Sequence, residues 1–512
     1  MRPSRLVAVV LGTVLTIALE ACDGSTEPQP SAAVHVAAVG PTSITGTVGA
    51  DVQPAPSVRA TDGRDRPVAG AVITFRVATG AGTVSTSKVT TDADGLAVLA
   101  KWTLGPRAGT QTLTAGAGGA ADVTFTAMAN AGPVAQITPL SGNSQLAGVG
   151  QALEEPLAVL AADAFGNPVA GVPVVFSVSA GGGSIDGAAV VTDAAGKATA
   201  SQWRLGAEAG VQHVTAASGA VQGEFRAFAA PPPGTLQGRI AFISYADPYL
   251  DVAVANADGS GFTRLSYPGL ESDPAWSPDG TRIAFSGHYA GTGDESDMMI
   301  GVMTADGTNV VWKTFNHLDL SPAWSPDGSV IALTSWHTPG PAVATIESVG
   351  SDVGSLFVYL IPGGMQPSWS PDGSKLVFAS IDAGFMSIFT ANADGSGLTR
   401  LTSNTSGMEA QRPAWSPDGS MIAFVYHNAA SDFRVAVMAA DGTFLKDLAS
   451  AGPSSTETPG SIAWSPDGSG VAFSFSGCDT AGGTCRSIKY VSLDGSRLVT
   501  LIRDAASPSW RR

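Results

Sequence analysis

The sequence predicts an all-β protein in which two β-sandwich modules are followed by a six-bladed β-propeller closed by the C-terminal strand. Three observations support this fold class. The 512 residues include 62 Gly and 33 Pro, and only 14% are charged, which suits short strands and many turns better than long surface helices. One set of residues recurs at an offset of 101 positions, and one five-residue turn motif occurs five times in the C-terminal half.

The length and net charge of the chain indicate how many domains it has and which partners it can bind. The chain is too long for a single hydrophobic core, so we expect about three folded domains. Its hydrophobic content of 44% is sufficient to fill their cores. The formal net charge of −16 argues against nucleic acid as a partner, because phosphate binding needs clustered Lys and Arg.

Residues 1–22 have the pattern of an export signal. Arg2 and Arg5 precede an apolar run at 6–19, which is shorter than the roughly 20 residues that a bilayer-spanning helix needs. The run ends in Leu-Glu-Ala-Cys, which resembles the lipobox of bacterial lipoproteins. This resemblance implies that Cys22 is acylated and anchors the protein to a membrane of the cell envelope, facing the periplasm or the outside. The alternative is ordinary secretory cleavage beside an unrelated cysteine.

Two short segments have the composition of linkers. Residues 23–33 are polar, contain Pro and show no periodicity, so we expect a flexible tether. Residues 230–236 contain three consecutive Pro followed by Gly. Because a Pro run is stiff and extended, we expect this segment to act as a spacer between two parts of the chain.

The two cysteines other than Cys22 flank a Gly-containing loop, at Cys478 and Cys485. An exported chain meets an oxidising compartment, and a loop of this composition lets its ends meet, so we predict a disulfide. A metal-binding pair is the alternative. A bridge here would contribute about 2–3 kcal/mol on the chain-entropy model.

Residues 34–129 and 132–229 repeat each other. The matching pairs, each 101 positions apart, are Asp62 and Asp163, Pro67 and Pro168, Phe75 and Phe176, Asp92 and Asp193, Gly95 and Gly196, Trp102 and Trp203, and Gly109 and Gly210. Short alternating runs between turn clusters predict an antiparallel sandwich in each copy. The segments Pro-Val-Ala-Gly at 67–70 and Thr-Asp-Ala-Asp-Gly at 91–95 resemble those of bacterial Ig-like domains of the invasin and intimin type. The resemblance implies two Ig-like domains.

Residues 237–512 carry a different repeat. The motif Trp-Ser-Pro-Asp-Gly begins at Trp276, Trp324, Trp369, Trp415 and Trp464, and intervals of 45 to 49 residues are typical of propeller blades. Its Ser-Pro-Asp-Gly part fits a type I turn, because Pro presets φ at the second position and Gly relieves the exit. The large Trp is expected to pack between neighbouring blades. The Asp residues are therefore expected to build turns; they are Asp279, Asp327, Asp372, Asp418 and Asp467.

The ends of this region predict the number of blades. The region opens on a segment, 239–242, that matches the second strand of a blade, and it closes on Trp510, in phase with Trp464. The C-terminal strand should therefore complete the first blade, which makes six blades and leaves no open sheet edge. The repeated motif resembles that of the propeller of TolB and its relatives over the whole C-terminal half.

The sequence contains no nucleophile elbow, phosphate loop or zinc-protease motif, so we expect no catalytic residue and no cofactor. If both tight turns of a blade face one side of the ring, the loops of the other side carry four histidines: His288, His317, His337 and His427. Oligogalacturonate lyases are propellers that bind a metal through several histidines in such a location. This resemblance leaves a carbohydrate-active enzyme as an alternative.

The same loops carry aromatic and acidic side chains. The aromatic residues are Tyr245, Tyr249, Tyr289 and Trp336, and the acids include Glu271, Asp273 and Glu409. Amphipathic aromatics on loops above a rigid scaffold suit recognition of protein or glycan. We therefore favour a binding face for envelope proteins or glycans over an enzyme site.

Overall fold

The computed structural model describes residues 35–118, 120–232, 236–246, 250–265, 271–288, 298–315, 318–337, 340–349, 357–382, 384–403, 409–427, 432–453, 461–476 and 486–511. Within these ranges every regular element is a β-strand, which confirms the predicted all-β class. The same ranges contain no helix with the length and hydrophobicity that a membrane crossing requires. The chain divides after Pro133 into two compact units, which are described in turn.

The first unit is a β-sandwich. Its strands are β1 (His35–Ala38), β2 (Ser43–Thr47), β3 (Ser57–Thr61), β4 (Val72–Thr79), β5 (Thr83–Val84), β6 (Lys88–Thr90), β7 (Leu96–Val98), β8 (Trp102–Thr103), β9 (Gly109–Gly116) and β10 (Val123–Asn130). One sheet has the order β1-β3-β7, the other β2-β10-β9-β4-β6, and β5 pairs with β8. Phe75, Trp102 and Phe125 are at most 1% exposed and belong to its hydrophobic core.

The second unit begins with a sandwich of the same design. Its strands are β11 (Gln136–Ser141), β12 (Gln145–Gly148), β13 (Ala158–Ala162), β14 (Pro173–Ala180), β15 (Gly183–Asp186), β16 (Ala189–Val191), β17 (Lys197–Thr199), β18 (Gln202–Leu205), β19 (Gly210–Ser218) and β20 (Val221–Ala230). The sheet orders are β11-β13-β17 and β12-β20-β19-β14-β16, with β15 paired to β18. Trp203 and Phe176 occupy the core positions of Trp102 and Phe75, so the repeated aromatics are core residues of both sandwiches.

The repeated Asp and Gly residues build one turn in both sandwiches. The Oδ1 atoms of Asp92 and Asp193 each accept hydrogen bonds from the backbone N–H groups two and four residues further on, at 2.9 Å. Gly95 has a φ of 69°, and a Cβ there would lie 2.6 Å from the carbonyl oxygen of Ala60. Glycine is therefore required both by backbone conformation and by close packing.

The described C-terminal part contains six four-stranded antiparallel sheets, the blades of a propeller. Blade 1 combines β21 (Arg239–Ser244), β22 (Asp251–Asn256) and β23 (Thr263–Arg264) with β44 (Ala505–Arg511). Blades 2 and 3 contain β24 (Ser272–Trp276), β25 (Arg282–Gly287), β26 (Met299–Thr304), β27 (Val311–Trp312), β28 (Leu318–Trp324), β29 (Val330–His337), β30 (Gly340–Glu347) and β31 (Val358–Pro362). Blades 4, 5 and 6 contain β32 (Gly364–Trp369), β33 (Lys375–Asp382), β34 (Phe385–Asn392), β35 (Thr399–Arg400), β36 (Glu409–Trp415), β37 (Met421–His427), β38 (Asp432–Ala439), β39 (Phe444–Pro453), β40 (Ile462–Trp464), β41 (Gly470–Ser476), β42 (Arg486–Ser492) and β43 (Leu498–Arg503).

The first blade takes its innermost strand from the end of the chain. Strand β44 pairs antiparallel with β21, with Trp510 opposite Ile240 and Ala505 opposite Ser244. The Nε1 atom of Trp510 donates a hydrogen bond to the carbonyl oxygen of Gln237 at 2.8 Å. The ring is therefore closed by pairing between its two ends, as the phase of Trp510 predicts.

The repeated Ser-Pro-Asp-Gly segment forms a hydrogen-bonded tight turn. In blade 2, Gly280 N donates to Ser277 O at 2.9 Å, and Ser277 Oγ donates to Asp279 Oδ1 at 2.6 Å. The same serine-to-aspartate bond recurs at Asp327, Asp372, Asp418 and Asp467. Hydrogen bonds from the neighbouring serine and from the turn backbone lower the pKa of Asp279 to about 2. These acids therefore stabilise the turns.

The Trp of the motif packs between blades. Trp324 of blade 3 lies in one hydrophobic cluster with Ala284 and Ile300 of blade 2, and its Nε1 donates to Ala275 O at 3.1 Å. Trp464 of blade 6 donates in the same way to Ala414 O of blade 5 at 2.9 Å. At these two positions an aromatic ring with one polar nitrogen links the sheets of adjacent blades.

The second sandwich packs directly against the propeller within the second unit. Phe228 and Ala230, at the end of β20, share a buried cluster with residues of blades 5 and 6 that include Met421 and Leu493. Arg226 forms an ion pair with Asp441, in the turn between β38 and β39. Each blade is an antiparallel meander, so the turn after its first strand and the turn after its third strand lie on the same side of the propeller. We call this side the turn face and the opposite side the loop face. The sandwich therefore packs on the turn face.

Candidate functional site

In each blade a polar residue stands three positions before the Trp of the innermost strand, within that strand or directly before it. These six residues, referred to as the channel ring, are Asp273, Ser321, Gln366, Arg412, Ser461 and Ser507. All of them except Ser461 have φ between 48° and 54°, a left-handed conformation that is uncommon outside Gly. The pairing register of these strands shifts at the same place. A bulge of this kind re-aims a side chain, here towards the axis of the propeller.

Four members of the channel ring bond to the carboxylate of Asp273. Arg412 Nη1 lies 3.2 Å from Asp273 Oδ1, and Ser321 Oγ donates to Oδ2 at 2.9 Å. Ser461 Oγ and Ser507 Oγ donate to Oδ1 at 3.2 and 3.4 Å. Because these residues belong to five different blades, one carboxylate connects most of the ring across its centre.

The surroundings of Asp273 keep its carboxylate ionised. Burial opposes ionisation, but the charge of Arg412 and the hydrogen bonds from Ser321, Arg412 and Ser461 outweigh it, so the pKa of Asp273 lies below its ordinary value. A carboxylate with a lowered pKa and several donors is a poor proton acceptor near neutral pH. The arrangement suits structural and electrostatic roles better than general-base catalysis.

The Asp273→Asn variant is expected to destabilise the propeller by about 3 kcal/mol at pH 7, because it leaves the charge of Arg412 buried without its partner. The folded-state pKa of Asp273 lies below the unfolded value near 3.9. Its contribution is therefore complete above that unfolded value and is lost as the pH falls through the folded one. Denaturant unfolding of wild type and variant should show a large difference at pH 7 that shrinks below about pH 4.

Asp382→Asn provides the matched control for this comparison. Asp382 pairs with Arg400 at 2.6 Å, but its side chain is 46% exposed, so its loss should cost less than about 1 kcal/mol. An Asp273→Asn protein as stable as wild type at pH 7 would contradict the role assigned to the carboxylate. So would a loss that is equally large at pH 3.

A cavity of about 350 Å³ lies beside the channel ring. Its lining begins at Asp273, Gln366 and Arg412 and continues along the inner strands to turn residues such as Pro417 and Pro466. Among the described residues, those just before the channel ring, on the loop side, do not contribute to the lining. The cavity, named the cup from here on, therefore has a polar floor and extends towards the turn face, with walls made largely of Pro and Ala.

The predicted aromatic face is only partly within the described residues. Trp336, in β29 of blade 3, is 44% exposed. The half-buried ring of Tyr245, in blade 1, lies 4.2 Å from the guanidinium carbon of Arg486. These two aromatics belong to non-adjacent blades, and Tyr249 and Tyr289 lie outside the described residues.

Of the four histidines considered as metal ligands, His288 and His427 have described side chains. His427 Nε2 lies 2.9 Å from Glu409 Oε2, and its ring packs edge-on against Phe433. His288 is half-buried at the end of its strand. His317 and the side chain of His337 lie outside the described residues, as do Cys22, Cys478 and Cys485. Within the part of the chain that is described, no three His, Cys, Asp or Glu side chains are grouped as metal ligands would be.

One of the predicted loop-face acids takes another position, and a second is buried. The bulge turns Asp273 into the channel, where it bonds to other members of the channel ring. Glu271, two residues earlier, is only 8% exposed. The expectation that Asp273 lies on the loop face was wrong, because the bulge in the inner strand turns its side chain into the channel. Arg412 and Gln366 were missed, although their fixed place three residues before Trp was visible in the sequence.

The fold and channel define a multidomain β-propeller protein, and sequence comparison identifies its family. Residues 232–512 match the TolB beta propeller domain, and residues 150–225 match the bacterial Ig-like domain of group 1. The chain belongs to the TolB β-propeller family. Membership of this envelope-associated group is consistent with a place in the cell envelope.

The solved structures to which this chain is similar include a TolB structure. TolB from Acinetobacter baumannii is 19% identical, with 59% of this chain and 80% of that chain covered and a TM-score of 0.46. A putative TolB from Agrobacterium tumefaciens is 23% identical over 46% of this chain and 96% of that chain, with a TM-score of 0.34. An oligogalacturonate lyase from Vibrio parahaemolyticus is 11% identical over 52% of this chain and 85% of that chain, with a TM-score of 0.31. A comparison with curated protein sequences found no match.

Proposed function

We propose that this protein is a lipid-anchored component of a bacterial cell envelope that presents its propeller for recognition of envelope proteins or glycans, without catalysis. Acyl chains on Cys22 would hold it to a membrane, and the tether at 23–33 would separate the folded part from the lipid surface. The loop face of the propeller would carry the recognition surface.

The packing of the second sandwich on the turn face is the observation that carries this proposal. Phe228 is buried among residues of blades 5 and 6, and Arg226 pairs with Asp441. This docking fixes the propeller to the preceding module at one face. The loop face, at the opposite ends of the strands, is left available to a partner.

The chemistry of the loop face suits recognition. Trp336 exposes almost half of its surface, and Trp is among the residues that contribute most to binding when a partner buries them. The guanidinium of Arg486 lies over the Tyr245 ring, a cation–π contact that favours the observed ring orientation. Rigid aromatics of this kind bury much area and lose little conformational entropy on binding.

The central acid of the channel supports binding over catalysis. The Asp273 carboxylate is saturated with donors, which makes it a poor proton acceptor. The alternative function, a metal-dependent lyase suggested by the loop-face histidines, would need a bound metal and a pair of side chains that transfer protons.

The Trp336→Ala variant is expected to weaken binding of envelope proteins or glycans by about 30-fold, the effect of losing one aromatic that contributes about 2 kcal/mol. Its fold should be unaffected, because the side chain is already largely solvent-exposed. Capture from envelope extracts and binding to an array of bacterial glycans, each compared with wild type, would measure the loss.

Phe165→Ala is the matched control, because Phe165 is also an exposed aromatic, at 55%, but lies in the second sandwich. Equal binding by wild type, Trp336→Ala and Phe165→Ala would contradict the assignment of the loop face. One tightly bound metal ion per chain, lost on combined substitution of His288, His337 and His427, would favour the lyase instead.

A further inference from the structure

The cup contains hydrogen-bond donors that the protein itself does not use. Arg412 bonds through Nη1 to Asp273 and Ser321, while its Nη2 has no hydrogen-bond partner among the described residues. Gln366 accepts from Arg412 N through Oε1 at 2.8 Å, and its Nε2 likewise has no partner there. Both residues line the cup. The carboxylate of Asp273, in contrast, already receives bonds from four side chains, so this charged acceptor of the floor is occupied.

We infer that the cup is a binding site for a carboxylate, held by the free edge of Arg412 and the amide of Gln366. A guanidinium offers its N–H groups in a planar fork that matches two carboxylate oxygens. Since the unused nitrogens of Arg412 and Gln366 are donors, a ligand that brings acceptors satisfies them, whereas a cation would be repelled by Arg412 and would find the Asp273 carboxylate already occupied.

Charge and volume restrict the ligand further. The ion pair between Asp273 and Arg412 makes the floor close to neutral, so a single negative charge is better tolerated than the double charge of a phosphate. A cavity of about 350 Å³ is at the small end of ligand pockets. Its Pro and Ala walls suit a short apolar stem. The ligand is thus a small monocarboxylic acid or the C-terminal carboxylate of a peptide.

The site is separate from the proposed recognition surface. Its floor faces the turn side of the channel, and residues such as Pro417 and Pro466 line both the cup and the cleft beneath the second sandwich. Trp336, by contrast, lies at the loop-face end of its strand. The carboxylate site and the loop face can therefore be tested independently.

Calorimetric titration of the full chain with N-acetylglycine and with N-acetyl-trialanine tests the inference. Each acid is compared with its C-terminal amide, which has the same shape but no charge. The acids should bind about tenfold more tightly than the amides, because charge-assisted bonds are about twice as strong as neutral ones. Tighter binding of the peptide acid than of N-acetylglycine would identify a peptide terminus as the source, and equal binding would identify a free small acid.

Variants locate the binding. Arg412→Gln and Gln366→Leu should each weaken acid binding about tenfold. Arg400→Gln is the control, since Arg400 is a partly exposed arginine paired with Asp382 outside the channel, and it should bind like wild type. If circular dichroism shows that Arg412→Gln does not fold, the inference is tested by Gln366→Leu and by the comparison of acids with amides on the wild-type protein. Equal binding of acids and amides, no binding of either acid, or wild-type binding by folded channel variants would overturn the inference.

Discussion

Removal of residues 508–512 is expected to lower the melting temperature of the propeller by about 10 °C or more. The deletion removes most of β44, and with it the innermost strand of blade 1. Trp510 is partly buried and packs edge-on against Tyr490 of blade 6 at 5.8 Å between ring centroids. Loss of a core Trp costs about 3–5 kcal/mol, and here the partly buried Trp510 is lost together with its strand pairing. For a domain of this size, each kcal/mol corresponds to roughly 2–4 °C.

The deletion also breaks contacts on the other side of blade 1. Ser509 Oγ accepts a hydrogen bond from Trp276 N of blade 2 at 3.1 Å, and the guanidinium of Arg511 lies 4.7 Å from the Trp276 ring. Without β44, the backbone of β21 becomes an unpaired edge facing the channel. Blade 1 would then lose contacts with both of its neighbours, blades 2 and 6. The loss of stability should therefore extend to the whole ring.

Differential scanning calorimetry of the full chain would measure this effect, with the first sandwich as the internal reference because it forms a separate compact unit. Arg511→Ala is the milder comparison: it removes the guanidinium that lies over Trp276 and beside the turn at Gly280 but keeps strand β44, and it should cost about 1 kcal/mol. A truncated protein whose propeller melts at the wild-type temperature would show that closure by the C-terminal strand is not what stabilises blade 1.

Features encoded in short segments of sequence were predictable. The Ser277-to-Asp279 bond and the Gly280 turn depend on four consecutive residues, so the motif predicts the turn directly. Closure of the ring could also be inferred, because Trp510 stands in phase with the repeat. In both cases the relevant information is local or periodic.

The channel and the docking of the second sandwich could not be predicted in this way. Arg412 and Asp273 are 139 residues apart, and Arg226 and Asp441 are 215 apart. Such pairs meet only once the ring is closed and the sandwich is seated on it. The left-handed residue in the inner strand adds a second obstacle, because strict strand alternation gives no indication that Asp273 turns into the channel. The sequence pattern identified the blades, but not which polar side chains converge between them.

Cys22→Ala is expected to move the protein from the membrane fraction to the soluble fraction. The proposed anchor depends on acylation of this one sulfur, and each buried CH₂ of an acyl chain contributes about 0.8 kcal/mol to membrane attachment. A single chain gives only marginal binding, whereas several chains give stable attachment, so loss of the acceptor cysteine should be close to all-or-none. Fractionation of cells that produce wild type or variant, followed by immunoblotting, measures the distribution.

Combined replacement of Cys478 and Cys485 by Ala is the matched control, because it removes the other two cysteines of the chain and should leave the protein in the membrane fraction. Metabolic labelling with a palmitate analogue adds a direct readout: label should appear on wild type and on this control, and be absent from Cys22→Ala. Ordinary secretory cleavage gives a different pattern, with no label on wild type and the same distribution for all three proteins. That pattern would remove the lipid anchor from the proposed function while leaving the loop-face and carboxylate tests unchanged, since both concern residues of the folded propeller.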